Sequence, residues 1–322
     1  MKKFVLLSIM AVAAIMTFSC AKQGLDTTTK GKMVTLTVTA PDLDEEPGSK
    51  VSFNGASHTA FVWDGNESLH LFSYTKATDG TSTDWGNFTT TTSGTTASFT
   101  GTVPGEKWGT SVVAAIGRNL QMNLISSKWR IYYNIPNEQD GTGFKYCAFV
   151  GMPEYDDMSN TFTFAVSDDA DGDVIKGPFK LRNALSYFIV PDYEEGKKVV
   201  EIKITCTTDG STAENIVCYN SGARAVGFNL EIPGNGTYKT ANSNCTNVLT
   251  ISNSGNALEG EIRFASLMIG TGKHLKFELK NQEDKIAKGS VTLTKAVNNA
   301  WVSKFGELPF TASDFKYDSY DD

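Results

Sequence analysis

The chain has 322 residues, of which 40% are hydrophobic and 20% charged, so a disordered, collagenous or coiled-coil protein is excluded. Its 29 basic and 36 acidic side chains give a net charge of −7, which excludes the basic surface that nucleic-acid binding requires. With 3 His and 5 Cys, few side chains are available for a transition-metal site. We therefore expect a globular chain of about two domains with no nucleic-acid partner and no cofactor.

The N-terminus has the pattern of a lipoprotein export signal. Two lysines precede an apolar run at 4–18, which fits a signal peptide and is too short to span a bilayer. The run ends in Thr-Phe-Ser-Cys, which is similar to a lipobox, where a peptidase cuts before the cysteine and the thiol is acylated. We expect a signal peptide at 1–19, lipidation of Cys20 and anchoring to outer-membrane lipid; the alternative is a plain secretory signal with an incidental cysteine.

Period-two alternation of apolar residues predicts an all-β protein. A polar tether at 20–32 is followed by a predicted strand in which threonines alternate with Val34, Leu36, Val38 and Ala40. The same alternation returns at 200–206 and 275–279. Further short runs lie at 59–63, 69–74, 97–103, 111–116, 144–150, 161–166, 185–190, 226–232, 247–252, 262–269 and 290–294. Many short strands separated by turn residues are typical of β-sandwiches.

The interior segment most typical of a linker is Asp-Asp-Ala-Asp-Gly-Asp at 168–173. Its alternating carboxylates also suggest a calcium loop, but the required glycine and glutamate positions do not fit an EF-hand. We therefore place a boundary here, with predicted domains at 33–168 and 169–322. The best helical candidate in the chain is the short segment 295–304.

Sequence motifs for catalysis are absent. The chain has no Gly-x-Ser-x-Gly elbow, no Gly-x-Gly-x-x-Gly and no P-loop. Paired carboxylates of a glycosidase can come from anywhere in a sequence, so an envelope hydrolase stays as an alternative. We expect a protein that is not an enzyme.

Cysteine and tryptophan residues carry further predictions. Cys206 and Cys218 flank a turn-like segment, so a disulfide between them is one option among the pairings of the four cysteines that remain after lipidation. Cys147 lies in an apolar run and is predicted to be a buried free thiol. Trp85, in the Thr- and Gly-rich segment 81–96, is predicted to lie in a loop, where it would be available to stack on a sugar.

Two segments resemble the fimbrillin-like proteins of Bacteroidales. The first, 59–72, reads Thr-x-Phe-x-Trp, then a glycine turn and an alternating apolar stretch, as at the start of that family's first domain. The second, 179–188 with the strand at 200–204, is similar to the start of its C-terminal domain. The resemblance implies a type V pilin of two tandem transthyretin-like, Greek-key β-sandwich domains, located in fimbriae at the cell surface.

In that family, a trypsin-like protease removes the lipidated tail together with the first strand, and the groove then accepts a strand from the next subunit. The first basic residue after our predicted first strand is Lys50, which follows the acidic, Gly- and Pro-containing segment 41–49. We therefore expect cleavage after Lys50, with Val51 as the new N-terminus and the strand at 34–40 as the exchanged one.

The partners implied by the resemblance are other fimbrial subunits and a host or bacterial surface glycan or protein. If Lys50 is an ordinary surface lysine, the protein is instead an unprocessed anchor. A further alternative is a surface lipoprotein that binds glycans without polymerising. The C-terminal run at 310–322 fits either an exchanging strand or a frayed acidic tail, and we favour the tail.

Overall fold

The computed structural model describes residues 31–39, 63, 65, 67–74, 82–94, 96–103, 111–125, 128–156, 159, 161–164, 177–219, 226–229, 238–239, 244–298 and 302–317. These residues form an all-β protein, which confirms the predicted fold class. Short 3-10 helices occur at Phe144–Tyr146 and Ala312–Asp314. Within these ranges, no helix has the length and apolar character needed to cross a membrane.

The strands are named in chain order. Those of the first half are β1 Lys32–Thr39, β2 Ser68–Tyr74, β3 Ser82–Thr89, β4 Thr96–Val103, β5 Ser111–Ile116, β6 Arg118–Ile125, β7 Lys128–Asn134, β8 Glu138–Gln139, β9 Phe149–Asp156 and β10 Thr161–Phe164. Those that follow are β11 Gly177–Leu181, β12 Ala184–Val190, β13 Val199–Thr207, β14 Val217–Tyr219, β15 Val226–Asn229, β16 Tyr238–Lys239, β17 Asn244–Thr246, β18 Val248–Ser252, β19 Gly260–Ser266, β20 His274–Asn281, β21 Ile286–Thr292 and β22 Val302–Glu307.

The first half of the chain folds into a sheet that closes on itself. Its strand order is β10-β1-β4-β3-β2-β5-β9-β11. One part of β9 pairs with β5 and β11, while its last residues pair with β10. Because β10 also pairs with β1, the strands from β1 round to β10 form a ring. β3 and β4 meet in the single register pair Thr89↔Thr100, so the ring is narrowly joined there.

A hairpin of β6 and β7 covers the outer face of part of this ring. Apolar side chains on the outside of β2, β5 and β9 pack against the hairpin, and the rings of Tyr74 and Trp129 lie 5.5 Å apart. Because these central strands are covered on both faces, their residues read as continuous apolar runs such as 112–115.

The second half is a β-sandwich. A three-stranded sheet, β19-β12-β22, faces a five-stranded sheet, β21-β20-β13-β18-β8. Phe188 on β12 lies between the layers, with its ring 6.0 Å from Phe264 of its own sheet and 5.7 Å from Phe277 of the other. Alternate residues of β13 supply the facing side of the core, where Ile202 and Ile204 are fully buried.

β11 of the second half joins the first sheet through β9, and two further strand pairings connect the halves. β8 pairs with the edge of β18, and the Gln139 amide both donates to the Ala265 carbonyl and accepts from the Ala265 N–H, each at 2.8 Å. In the other direction, β15 pairs antiparallel with β7. The predicted boundary at 168/169 lies outside the described residues, and the division into domains 33–168 and 169–322 stays a prediction.

The C-terminal part of the chain differs from its sequence interpretation. The described residues of 295–304, the best helical candidate of the sequence, do not form a helix, because β22 begins at Val302 and Val297 pairs with Ile269 through two backbone hydrogen bonds. Nor is the segment from Phe310 to residue 317 a frayed tail. Phe310 packs over Gly289, where a Cβ would lie 2.6 Å from the ring, so the glycine is required for this close approach.

Aromatic contacts hold the rest of this C-terminal segment. The Tyr193 hydroxyl donates to the Phe310 carbonyl at 2.8 Å, and its ring packs edge-on against Phe315 at 5.2 Å. Backbone hydrogen bonds join Lys316 to Ile286 at the edge of β21. The acidic residues near the terminus favoured the prediction of a tail, although Phe310 and Phe315 are buried. Residues 318–322 lie outside the described part of the chain.

The Cys206–Cys218 disulfide, one of the pairings that the sequence left open, does not form. Cys218 is bonded to Cys245, its register partner across β14 and β17. Cys206 is a free thiol, since its side chain lies on the buried face of β13 with Ile204. Cys147 is buried and free as predicted. The disulfide links the two ends of the segment 219–244, which contains β15 and β16.

Removal of this disulfide should destabilise the fold. Cys218 and Cys245 are 27 residues apart, for which loop-closure entropy predicts about 3 to 4 kcal/mol of stability. We expect Cys218→Ala/Cys245→Ala to lower the free energy of unfolding by roughly that amount in denaturant titrations without reductant. Cys206→Ala, which removes a buried sulfur without opening a disulfide, is the control; equal losses in both variants would contradict the prediction.

The two free thiols should be unreactive in the folded protein. Burial raises the pKa of Cys147 and of Cys206 to about 12 in each case. At pH 8, about one thiol in ten thousand is then a thiolate, the form that reacts. We expect iodoacetamide to label neither cysteine in folded residues 21–322 and both in guanidinium, as read by mass spectrometry. Labelling of either one at the same rate in both conditions would show that it is not buried.

Candidate strand-exchange site

β1 has the alternating pattern that the sequence predicts. Val34, Leu36 and Val38 face the core and are at most 1% exposed. Met33 and Thr37 lie on the opposite, solvent-facing side. Valine and threonine favour extended backbone, so the segment forms a strand with one apolar face. Ala40, the last residue of the predicted strand, lies outside the described residues.

Neighbouring strands pair with β1 on both of its edges. All eight residues of β1 pair antiparallel with β4, from Lys32↔Val103 to Thr39↔Thr96. On the other edge, Thr35 and Leu36 pair in parallel with β10. β1 is thus the strand that connects β4 to β10 and closes the ring of the first half.

An aromatic layer lines the core beneath β1. Leu36 lies in register with Phe99 on one side and Phe162 on the other. The ring of Trp63 packs edge-on against Phe99 at 5.2 Å, and the ring of Trp85 lies 6.3 Å from Phe162. These four aromatic residues, Trp63, Trp85, Phe99 and Phe162, form what we call the β1 floor; each is at most 8% exposed.

One side chain of the β1 floor also contacts the main chain of β1. The Trp63 indole N–H donates to the Val38 carbonyl at 3.1 Å. Val38 is two residues beyond the last pair that β1 makes with β10. Sequence reasoning missed this contact, because a tryptophan in an apolar pattern indicates burial and does not indicate what its N–H binds.

Trp85 is not in a loop. It lies on β3, 8% exposed, and its ring faces the core of the first half. Leu71 pairs with Gly86 and Phe72 with Asp84, so Trp85 is the extra residue of a bulge in β3, next to Gly86 with its φ of 82°, and the bulge interrupts the simple alternation of the hairpin. The many threonines of this segment are good strand formers, so their reading as a loop was wrong. The residue that suggested a sugar-binding surface is therefore part of the β1 floor.

The candidate site is almost free of charge. In β1, β4 and β10 the only ionisable residue is Lys32, at the start of β1. Backbone hydrogen bonds and apolar burial therefore hold β1 in place.

The other predicted site residues fall outside the described part of the chain. Cys20, Lys50 and Val51 are among them. Lipidation and cleavage therefore stay predictions. Sequence reasoning had identified the strand at 161–166 but not that it pairs with β1, because alternation reveals which face is buried and not which strand is adjacent.

No protein-family model and no curated protein matches the chain. Among solved structures, it is similar to fimbrial proteins of Bacteroidales. One, a fimbrial protein from Bacteroides ovatus, gives a TM-score of 0.39 at 10% identity over 87% of this chain and 50% of that chain. Another, the tip fimbrial protein Mfa3 from Porphyromonas gingivalis, gives 0.28 at 11% identity over 81% and 82%. At such low TM-scores and identities, neither likeness carries an argument about this chain.

A charge on the buried face of β1 should destabilise the fold. We expect Leu36→Asp to lower the free energy of unfolding by several kcal/mol, because it places a carboxylate between Phe99 and Phe162. Thr37→Asp, one residue away on the exposed face, should change it by less than about 0.5 kcal/mol. Thermal or denaturant unfolding of both variants provides the measurement, and similar values for the two would mean that β1 is not integral to the fold.

Proposed function

We propose that the protein is a fimbrial subunit or accessory adhesin that is exported as a lipoprotein and assembled by strand exchange. The observation that carries this proposal is the two-sided pairing of β1: a strand near the N-terminus joins β4 to β10 and covers an aromatic core. The resemblance of the sequence to fimbrillin-like proteins supports the same function.

The energetics of β1 favour replacement once it is lost. Burying each of Val34, Leu36 and Val38 contributes about 1.5 to 3 kcal/mol, so the strand contributes roughly 5 to 9 kcal/mol of apolar burial. Its departure would also expose the backbone edges of β4 and β10 and the β1 floor. A strand from another subunit with the same apolar alternation would restore both the burial and the pairing.

The position of β1 along the chain allows a single cut to detach it. β1 precedes every other strand in the described residues, and only residues 40–62 separate it from Trp63. Cleavage after Lys50 falls within that connection and would leave Val51 as the N-terminus of the body. Lipid on Cys20 would hold the precursor at the outer membrane until then, and other fimbrial subunits would be the partners.

Limited proteolysis tests this function. Residues 21–322 are treated with a protease specific for lysine and arginine, and the products are analysed by N-terminal sequencing and size-exclusion chromatography. We expect one early cut after Lys50, a body that begins at Val51, and ladders of oligomers that form once the β1 fragment dissociates.

Lys50→Ala is the matched control, since it removes the cleavage site and leaves β1 unchanged. It should remain monomeric under the same treatment. Early cleavage after Lys50 that yields a lasting monomer would argue against polymerisation. Resistance at Lys50 would favour an unprocessed anchor.

A further inference from the structure

Trp63 is held rigidly at the end of the groove that β1 occupies. Its main-chain N–H and carbonyl bond to Gly94 at 2.8 and 2.9 Å. Its ring contacts Phe99 at 5.2 Å and Phe179 at 6.2 Å, and the residue is 1% exposed. The indole N–H is therefore a fixed donor, directed at the carbonyl of Val38.

This donor contacts β1 where pairing with β10 has ended. β10 pairs with Thr35 and Leu36, whereas the Val38 carbonyl lies two residues further on. The indole thus makes a hydrogen bond to the main chain of β1 beyond the two residues that β10 pairs with. It binds a carbonyl oxygen and not a side chain, so a strand of different sequence can make the same contact.

We propose that Trp63 is a positioning residue that anchors the far end of the strand in this groove, whether that strand is β1 or one from another subunit. The second half of this statement rests on the proposed function. Trp63 follows the predicted cut in the sequence, so it would stay with the body when β1 leaves. Loss of the Val38 carbonyl would remove an acceptor from a buried donor, which is unfavourable. A replacement strand that reaches the position of Val38 would therefore bind more tightly than one that ends at Leu36.

The first test uses the full precursor, residues 21–322, and needs no strand exchange. Trp63→Phe keeps an aromatic ring and removes the N–H, and Trp85→Phe makes the same change elsewhere in the β1 floor. We expect amide hydrogen exchange at Val38 and Thr39 to become about tenfold faster in Trp63→Phe, with a smaller change near Val34. An equal effect along the whole of β1, or the same effect in Trp85→Phe, would overturn the proposal.

Solvent exchange of the Trp63 indole N–H in the wild-type chain is a measurement that does not require any variant to fold. Indole N–H groups labelled with ¹⁵N give separate NMR signals, and we expect the signal of Trp63 to show a contact to protons of Val38, whose carbonyl the indole binds. We expect this N–H to be strongly protected from exchange with solvent. Rapid exchange in the intact precursor would contradict the anchoring role.

The second test addresses strand length in the cleaved protein. Fluorescent peptides 31–40 and 31–36, both amidated at the C-terminus, compete for the emptied groove. In the wild type, the longer peptide should bind at least tenfold more tightly, and Trp63→Phe should reduce that ratio whereas Trp85→Phe should not. If neither peptide enters the groove, strand exchange is wrong and the first test still decides the role of Trp63; if both enter and the ratio is unchanged in Trp63→Phe, only the anchoring role is wrong.

Discussion

The fold of the first half depends on one strand being paired along both edges. β4 and β10 do not touch each other through backbone hydrogen bonds, and β3 and β4 meet at one register pair. β1 supplies the connection, with eight residues paired to β4 and two to β10. β1 also covers the β1 floor, whose four aromatic residues are at most 8% exposed. Stability and the proposed assembly therefore have the same physical origin, the burial of one amphipathic segment.

The positions of charged residues agree with this role of apolar burial at β1. Ion pairs cluster on the C-terminal sandwich, where Lys198 approaches the carboxylates of Glu259, Glu195 and Asp192. Such surface pairs contribute little to stability and serve solubility. β1 and its two partner strands, β4 and β10, together contain one ionisable residue, Lys32. Association through the groove that β1 vacates would thus be governed by apolar burial and main-chain pairing and would depend little on salt.

The sequence predicted well which face of several strands is buried, and it predicted poorly which strands pair with each other. β1, β2 and β5 lie close to their predicted bounds because their alternation or continuous burial is strong. The β6–β7 hairpin was missed although Leu120, Met122 and Leu124 alternate with Gln121 and Asn123 along β6, because none of these residue types is a strong strand former. The pairings of β8 with β18 and of β15 with β7 join segments distant in sequence, and no local pattern encodes them. Likewise the apolar face of β1 was predictable, whereas the carbonyl that Trp63 binds was not.

The crossed pairings between the halves also constrain the order in which the chain can fold. The edge of β7 that receives β15 stays open until residue 229 has been made, and β8 has no partner until β18 follows it. Contacts of such long range are slow to form, and open edges in the meantime are prone to aggregation. The chain is therefore unsuited to completing one half while the other is still being synthesised. A protein built in this way folds best as a whole, after the synthesis of both halves is complete.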